Sequence, residues 1–367
     1  MTEAGVPMRE KGKYASIEIG RGLASALVVF HHAGNIMSQP RFYGSDPFDG
    51  HLRNFNVGVD FFFVLSGFII AWIHWADIGQ SGRLKSYASK RFLRIYPPYW
   101  GVLLPLIALY QVFPQAGVES QRDPINIGLS LLLLPFTAQP VLGVAWTLTH
   151  EIFFYVVFAG IILAGRKALI FFPLWALAII AGHFAGPLNF PLSFFLNPFN
   201  LEFIMGVGAA WLLKNVRIPA PMLVASVGAL TFILLMLFAV NIQDDNLVGR
   251  LAFGISSLLF VLGAVEVERH RKVALPRALL FFGASSYAVY LVHPVALSFC
   301  IQVVKRLAGN TMSLEIIAII IALMGIVAGC LYHILLEKRL TSWVRSVFNL
   351  GPNHTKTTNI ASKEKTL

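Results

Sequence analysis

The sequence predicts an all-α polytopic membrane protein. It has about ten transmembrane helices, both termini cytoplasmic, and one short re-entrant or interfacial segment. Three observations carry that prediction. The 367 residues are 56% hydrophobic and only 13% charged, whereas a soluble domain averages about 25% charged. Mean hydropathy is +0.69, concentrated in apolar runs long enough to cross roughly 30 Å of hydrocarbon. Lys and Arg gather between alternate runs, as the positive-inside rule requires. That rule also accounts for the net charge of +11, which in a soluble chain would point to nucleic acid. The expected partner is membrane lipid, with no nucleic acid. Cys300 and Cys330 each lie within an apolar run and form neither a disulfide framework nor a ligand cluster, so no metal is expected.

The apolar runs fall near 18–37, 56–75, 96–114, 144–163, 168–185, 199–213, 221–241, 250–267, 279–304 and 314–335. The first follows a basic start, MTEAGVPMREKGKY. It holds Arg21, His31 and His32 and no clear cleavage site, so it reads as a retained helix rather than a signal peptide. An eleventh run, Ile125–Ala138, contains Pro135 and is short for a crossing. Charge decides its status. If it does not cross and the N-terminus is cytoplasmic, 22 of the 29 Lys and Arg lie inside. Only Arg41, Arg53, Arg122, Arg250, Lys305 and Arg306 lie outside. If it crosses, the split falls to 11 inside and 17 outside, against the rule. The organisation expected is a cytoplasmic segment at 1–17, one membrane domain at 18–338 without internal repeats, and a cytoplasmic, disordered tail at 339–367. The uncharged stretch Gly186–Pro198 is expected on the outer membrane surface.

Titratable side chains inside apolar spans are costly and mark candidate sites. Arg21 and His32 are eleven residues apart, which places them within roughly 20° on one helix face and about 16 Å apart along it. His31 points about 80° away from Arg21. Asp60 enters its span roughly 6 Å deep, Glu151 roughly 10 Å and His32 roughly 8 Å, so the three are expected to converge in the outer leaflet. Imidazole beside carboxylate suits general-base catalysis. A buried charge network that only ties helices together would use the same residues. In the cytoplasmic loop Gly82–Pro98, Arg91 and Arg94 are spaced i,i+3, with Lys90 adjacent. Together with Arg21 they make a cationic cluster suited to phosphate, although a basic loop can equally serve topology alone. A ninth span carries His293 with Ser286, Tyr287 and Tyr290 on the preceding turns, and Pro294 perturbs it. Ser66-Gly67 reads as small-residue packing.

Five stretches in this order resemble acyltransferase family 3, the polytopic membrane O-acyltransferases. They are RGLASALVVFHH, GVDFFFVLSGF, KRFLRIYPPYW, WTLTHEIFFY and SSYAVYLVHP, and the resemblance covers residues from about 17 to 338. It implies transfer of an acetyl group from cytoplasmic acetyl-CoA to a hydroxyl, usually of a saccharide, at the bacterial inner membrane. The family's essential arginine and histidine fall on Arg21 and His32, its R-x-x-R pair on Arg91 and Arg94, its acidic residue on Glu151 and its late histidine on His293. Gly22 departs from the family's usual alanine. The implied roles are His32 as base, Glu151 or Asp60 orienting it, His293 assisting, and Arg21, Arg91 and Arg94 holding the donor. The chain is also similar to rhizobial members, whose acceptors include exopolysaccharides and lipo-chitooligosaccharide nodulation factors; lipopolysaccharide is a further acceptor of this class. The rival is a transporter or flippase for a lipid-linked saccharide. That rival predicts internal repeats with interrupted helices, which the sequence does not display.

Overall fold

A computed structural model describes residues 14–238, 247–271, 275–309 and 311–348. Among them there are α-helices and short 3₁₀ or π turns but no strand. The helices are α1 (Ala15–Met37), α2 (Gly58–His74), α3 (Leu84–Val112), α4 (Pro124–Leu132), α5 (Trp146–Ala164), α6 (Phe171–Phe184), α7 (Leu192–Phe195), α8 (Phe199–Asn215), α9 (Pro221–Phe238), α10 (Leu247–His270), α11 (Arg277–Ala308), α12 (Leu314–Tyr332) and α13 (Lys338–Val347). Eight helical segments are long and apolar enough to cross a membrane. Two further helices, α1 and α8, pack inside the bundle without meeting that measure. Arg21, His31, His32 and Asn35 lower the hydropathy of α1, and α8 has 17 residues.

In the bundle α1 bridges two groups of helices. It packs on α11 and α12 on one side and on α2 and α10 on the other. Its N-terminus is held from a distance: the backbone N–H groups of Ala15 and Ser16 donate to the Glu268 carboxylate of α10, at 2.9 and 2.5 Å. This satisfies two of the four donors that a helix start leaves free, with a negative charge at the positive end of the helix dipole. Helices α2 and α8 cross most closely where Gly67 meets the Phe203 backbone and Gly206 meets the Val64 carbonyl. A Cβ at either position would enter the other backbone, which is the small-residue contact expected between membrane helices. α9 sits at the periphery against α10, with 6% of its apolar window buried.

Two expectations change, at α3 and at the tail, while the short run at 125–138 stays too short to cross. The stretch read as a cytoplasmic loop ending at Pro98 is part of α3, which runs unbroken from Leu84 through Pro97, Pro98 and Pro105. Proline disfavours a helix interior, but packing overrides it here. The Tyr287 hydroxyl donates to Ile95 O at 2.9 Å, and the Tyr332 hydroxyl donates to Pro98 O at 2.7 Å. The expected eleventh run forms α4, nine residues and about 14 Å long. It ends at Leu133 in the left-handed region and cannot cross the hydrocarbon. Tyr99 Oη, Trp100 Nε1 and Tyr96 Oη clamp its last carbonyls at Ser130, Leu131 and Leu132. The tail expected to be disordered from 339 instead begins as α13, an amphipathic helix that buries Val344 and packs against α3. The rest of that tail, from 349, and residues 1–13 of the N-terminal segment lie outside the described residues.

Candidate active site

A cavity of about 130 Å³ opens among α1, α2, α3, α5 and α11. Arg21, Arg91 and Arg94 line it with Glu151, Ser66, Tyr155, Ser286, Tyr287 and Tyr290. Helices distant in sequence thus bring three guanidinium groups to one space, as the cationic cluster predicted. Each arginine has its own tether. Arg91 Nη2 donates to His74 Nε2 at 3.1 Å, and His74 Nδ1 donates to Asp77 at 2.7 Å. Arg94 lies 3.9 Å from Glu337, which accepts from His333 Nδ1 at 2.6 Å. Its guanidinium stacks over the Tyr287 ring at 5.2 Å. Arg21 pairs with Glu18 one turn earlier, at 3.7 Å. The Arg94 tether depends on a π-helical turn at His333–Glu337 between α12 and α13, a distortion often found at functional sites. Arg91 Nε and Ser286 Oγ are buried without a hydrogen-bond partner. They leave donors at the cavity for an anionic or carbonyl-bearing ligand. Sequence reading missed His74, Asp77, His333 and Glu337. The H-x-x-D and H-x-x-x-E spacings were legible, but nothing local tied them to α3.

Glu151 accepts from Ser66 Oγ at 3.2 Å and from the Tyr155 hydroxyl. It belongs to this arginine cavity and makes no contact with His32. Ser66 and Gly67, read together as packing residues, face different partners: Ser66 bonds Glu151 and Gly67 meets α8.

Thr147 and Tyr290 close the inner end of the cavity. Their hydroxyls are 2.7 Å apart, and Phe62 lies edge-on to the Tyr290 ring at 6.0 Å. Behind Tyr290 stand His293, 5.8 Å away by ring centroid, and then His32, 4.9 Å from His293. His32 Nδ1 is 2.9 Å from Val28 O, and His293 Nδ1 is 3.2 Å from Val289 O. A carbonyl only accepts, so each Nδ1 carries the proton and each neutral ring keeps its lone pair on Nε2. His293 Nε2 is buried and unpartnered. His31 differs. Its Nδ1 donates to Arg53 O at 2.8 Å, and its Nε2 accepts from Asn35 Nδ2 at 2.9 Å. Both nitrogens are occupied, Nδ1 in tying α1 to the following segment and Nε2 within α1 itself.

The expected convergence of His32, Asp60 and Glu151 does not occur. Asp60 is fully buried and 2.6 Å from Arg250 Nη1 of α10, itself 1% exposed. The Arg250 guanidinium stacks on Phe199 at 4.6 Å. Depth along a helix fixes height and not direction, and Asp60 faces α10 instead of α1. Arg250, counted among the outer charges, is an interior residue. Removing one partner of such a pair strands a buried charge. Asp60→Ala should therefore lower stability by about 3–5 kcal/mol. Buried Glu202 lies beside both residues, so replacing all three by apolar ones should restore most of it, as thermal unfolding in detergent would show. Full stability in the single variant would contradict the pairing.

At the other ends of α3 and α11 lies a larger cavity of about 900 Å³, bounded by Leu142, Gly143 and Pro294, the last adjacent to His293. The two cavities lie toward opposite ends of α3 and α11, and the row Tyr290, His293, His32 leads away from the arginine-lined one. The chain belongs to acyltransferase family 3: it matches the family's acyltransferase domain over residues 14–335. It is 30% identical over 327 residues to the exopolysaccharide production protein ExoZ of Rhizobium meliloti (strain 1021), covering 82% of this chain and 93% of that one. It is 28% identical over 158 residues to protein 2 in the picA locus of Rhizobium radiobacter, covering 38% of this chain and 77% of that one. No solved structure matches the chain.

Proposed function

We propose that the protein is an O-acetyltransferase of the bacterial inner membrane. It moves acetyl from cytoplasmic acetyl-CoA to a hydroxyl of an exopolysaccharide or its lipid-linked precursor. The observation that carries this reading is the order of the parts: arginine-lined cavity, Tyr290, His293 and His32, then the large opposite cavity. The similarity to a protein of exopolysaccharide production supports the acceptor class.

The arginines hold the phosphates of the donor. The 130 Å³ cavity admits the thioester end of the pantetheine arm, and the nucleotide lies over the exposed faces of Lys90 and Arg91. For the thioester to reach His32, the Phe62 and Tyr290 rings must turn aside. The acceptor hydroxyl then loses its proton to His32 Nε2 as its oxygen attacks the thioester carbonyl. The tetrahedral adduct expels the coenzyme A thiolate, which takes the proton back from the imidazolium. O-acetyl saccharide and free coenzyme A leave on opposite sides. His293 assists by holding the His32 ring. Glu151 orients Tyr155 and balances the arginine charge.

Ten crossings with both termini cytoplasmic agree with the charge split. Reporter fusions at Ser120 and Thr355 should therefore report opposite sides of the membrane; the same side for both would overturn this topology. The function is tested with purified protein, labelled acetyl-CoA and candidate glycans. Label transferred to an exopolysaccharide repeat is the expected result. Transfer only to a nodulation-factor oligosaccharide would move the acceptor. Saccharide movement across vesicles without label transfer would favour the transporter.

A further inference from the structure

The larger cavity has a composition that singles out its ligand. Arg41, Lys305 and Arg306 line it, and no Asp or Glu does. These are three of only six Lys and Arg that the charge pattern puts on the outer side, where the positive-inside rule keeps such residues scarce. Two of the other three are neutralised: Arg250 by Asp60 and Arg53 by Asp46, 2.5 Å away. Of the three at the cavity, none has a carboxylate partner among the described residues. Lys305 Nζ donates to the backbone oxygens of Arg41, at 3.3 Å, and Phe42. Arg41 Nε donates to the neutral Gln39 side chain at 2.8 Å, and its guanidinium lies over the Phe42 ring at 4.9 Å. Unpaired cations at a cavity mouth focus field into it and attract an anion. The remaining polar lining is of amides and hydroxyls, Tyr110, Gln115, Gln121, Ser298 and Gln302. Ser298 Oγ already donates to Pro294 O, Gln302 Nε2 to Ser298 O and Gln121 Nε2 to Val141 O, which leaves their oxygen lone pairs and second amide hydrogens for sugar hydroxyls. The volume of about 900 Å³ is at the upper end of small-molecule sites and takes several linked sugar rings.

We propose that this cavity is the acceptor site and that it selects an acidic saccharide, one bearing a carboxylate or phosphate that Arg41, Lys305 and Arg306 hold while a hydroxyl several rings further along the chain, about 20 Å away by the rise of α11 from His293 to Arg306, reaches His32. This rests on the acetyltransferase reading for the reaction but not for the binding. Helices α3 and α11 reach from one cavity to the other, so the anion sits far from the donor arginines. From Tyr287 to Arg306 the rise along α11 is about 28 Å.

The test compares a uronic-acid-containing oligosaccharide with the same oligosaccharide after reduction of its carboxyl groups. Binding is measured by titration calorimetry on the full chain in phosphatidylcholine nanodiscs, without donor. The acidic form should bind at least about tenfold more tightly, the usual effect of one charge-assisted hydrogen bond, and the gap should shrink with salt. In the Arg41→Gln, Arg306→Gln double variant, both sites being exposed, the gap should close to within about twofold. Arg306→Lys should keep most of it. In the transfer assay the double variant should raise KM for the acidic acceptor and leave kcat and the donor KM unchanged. Equal binding of the two oligosaccharides, or a gap that survives in the double variant, overturns the inference. So does displacement of the acidic oligosaccharide by phosphatidylglycerol together with loss of its advantage over the reduced form. Acidic-saccharide binding without any acetyl transfer would uphold this site and sink the acetyltransferase reading. Equal transfer to both oligosaccharides would do the reverse.

Discussion

His32→Ala should lose about 10²–10⁴-fold in acyl transfer, the contribution of a positioned proton acceptor, while His31→Ala keeps most of it. The two residues are adjacent on α1, yet their ring nitrogens are differently engaged. His31 uses both, on Arg53 O and on Asn35. His32 uses only Nδ1, on Val28 O, and packs against His293. A base needs a free lone pair within reach of the acceptor, and of the two adjacent rings only His32 offers one, at Nε2. His31→Ala should instead cost about 1 kcal/mol of stability, the net effect of an ordinary hydrogen bond, by loosening the segment after α1. The measurement is acetyl transfer at matched protein level, together with the unfolding midpoint. An inactive His31→Ala beside an active His32→Ala would require the register of α1 to be redrawn.

Arg91→Ala combined with Arg94→Ala should weaken donor binding by about 10²–10⁴-fold. Each charge-assisted hydrogen bond to phosphate contributes about 1.5–3 kcal/mol, and 1.4 kcal/mol is a factor of ten. The effect should fall on the donor Kd, because in the proposed reaction the pair holds phosphates rather than reacting atoms. Removal of the tethers gives a graded control. His74→Ala leaves Arg91 charged but without the His74–Asp77 bond that fixes its direction, so donor affinity should drop only a few-fold. Unchanged donor affinity in the double arginine variant would reduce this part of α3 to a topology signal.

Much of the bundle was legible in the sequence because the bilayer is a simple solvent. It demands about twenty apolar residues per crossing and penalises every charge within one. The apolar runs, the shortness of the 125–138 stretch and the oddity of Arg21, His32, Glu151 and His293 follow from that demand alone. Local rules failed where partners came from afar. Pro97 and Pro98 read as the end of a cytoplasmic loop, but α3 runs through them, with Tyr287 and Tyr332 bonded to the carbonyls of Ile95 and Pro98. The residues from 339 read as tail, but the polar and apolar faces of α13 find a seat along α3.

What the sequence determined by itself is height. The number of residues from a helix end gives depth in the membrane, and the spacing of Arg21 and His32 gives a shared helix face. Depth carries no bearing around the bundle axis. That bearing depends on which helices meet, through contacts such as Gly67 and Gly206 that bring α2 against α8. Only the tertiary structure therefore decided that Asp60 pairs with Arg250, 190 residues away, that Glu151 lines the arginine cavity, and that the ring packed on His32 is another histidine.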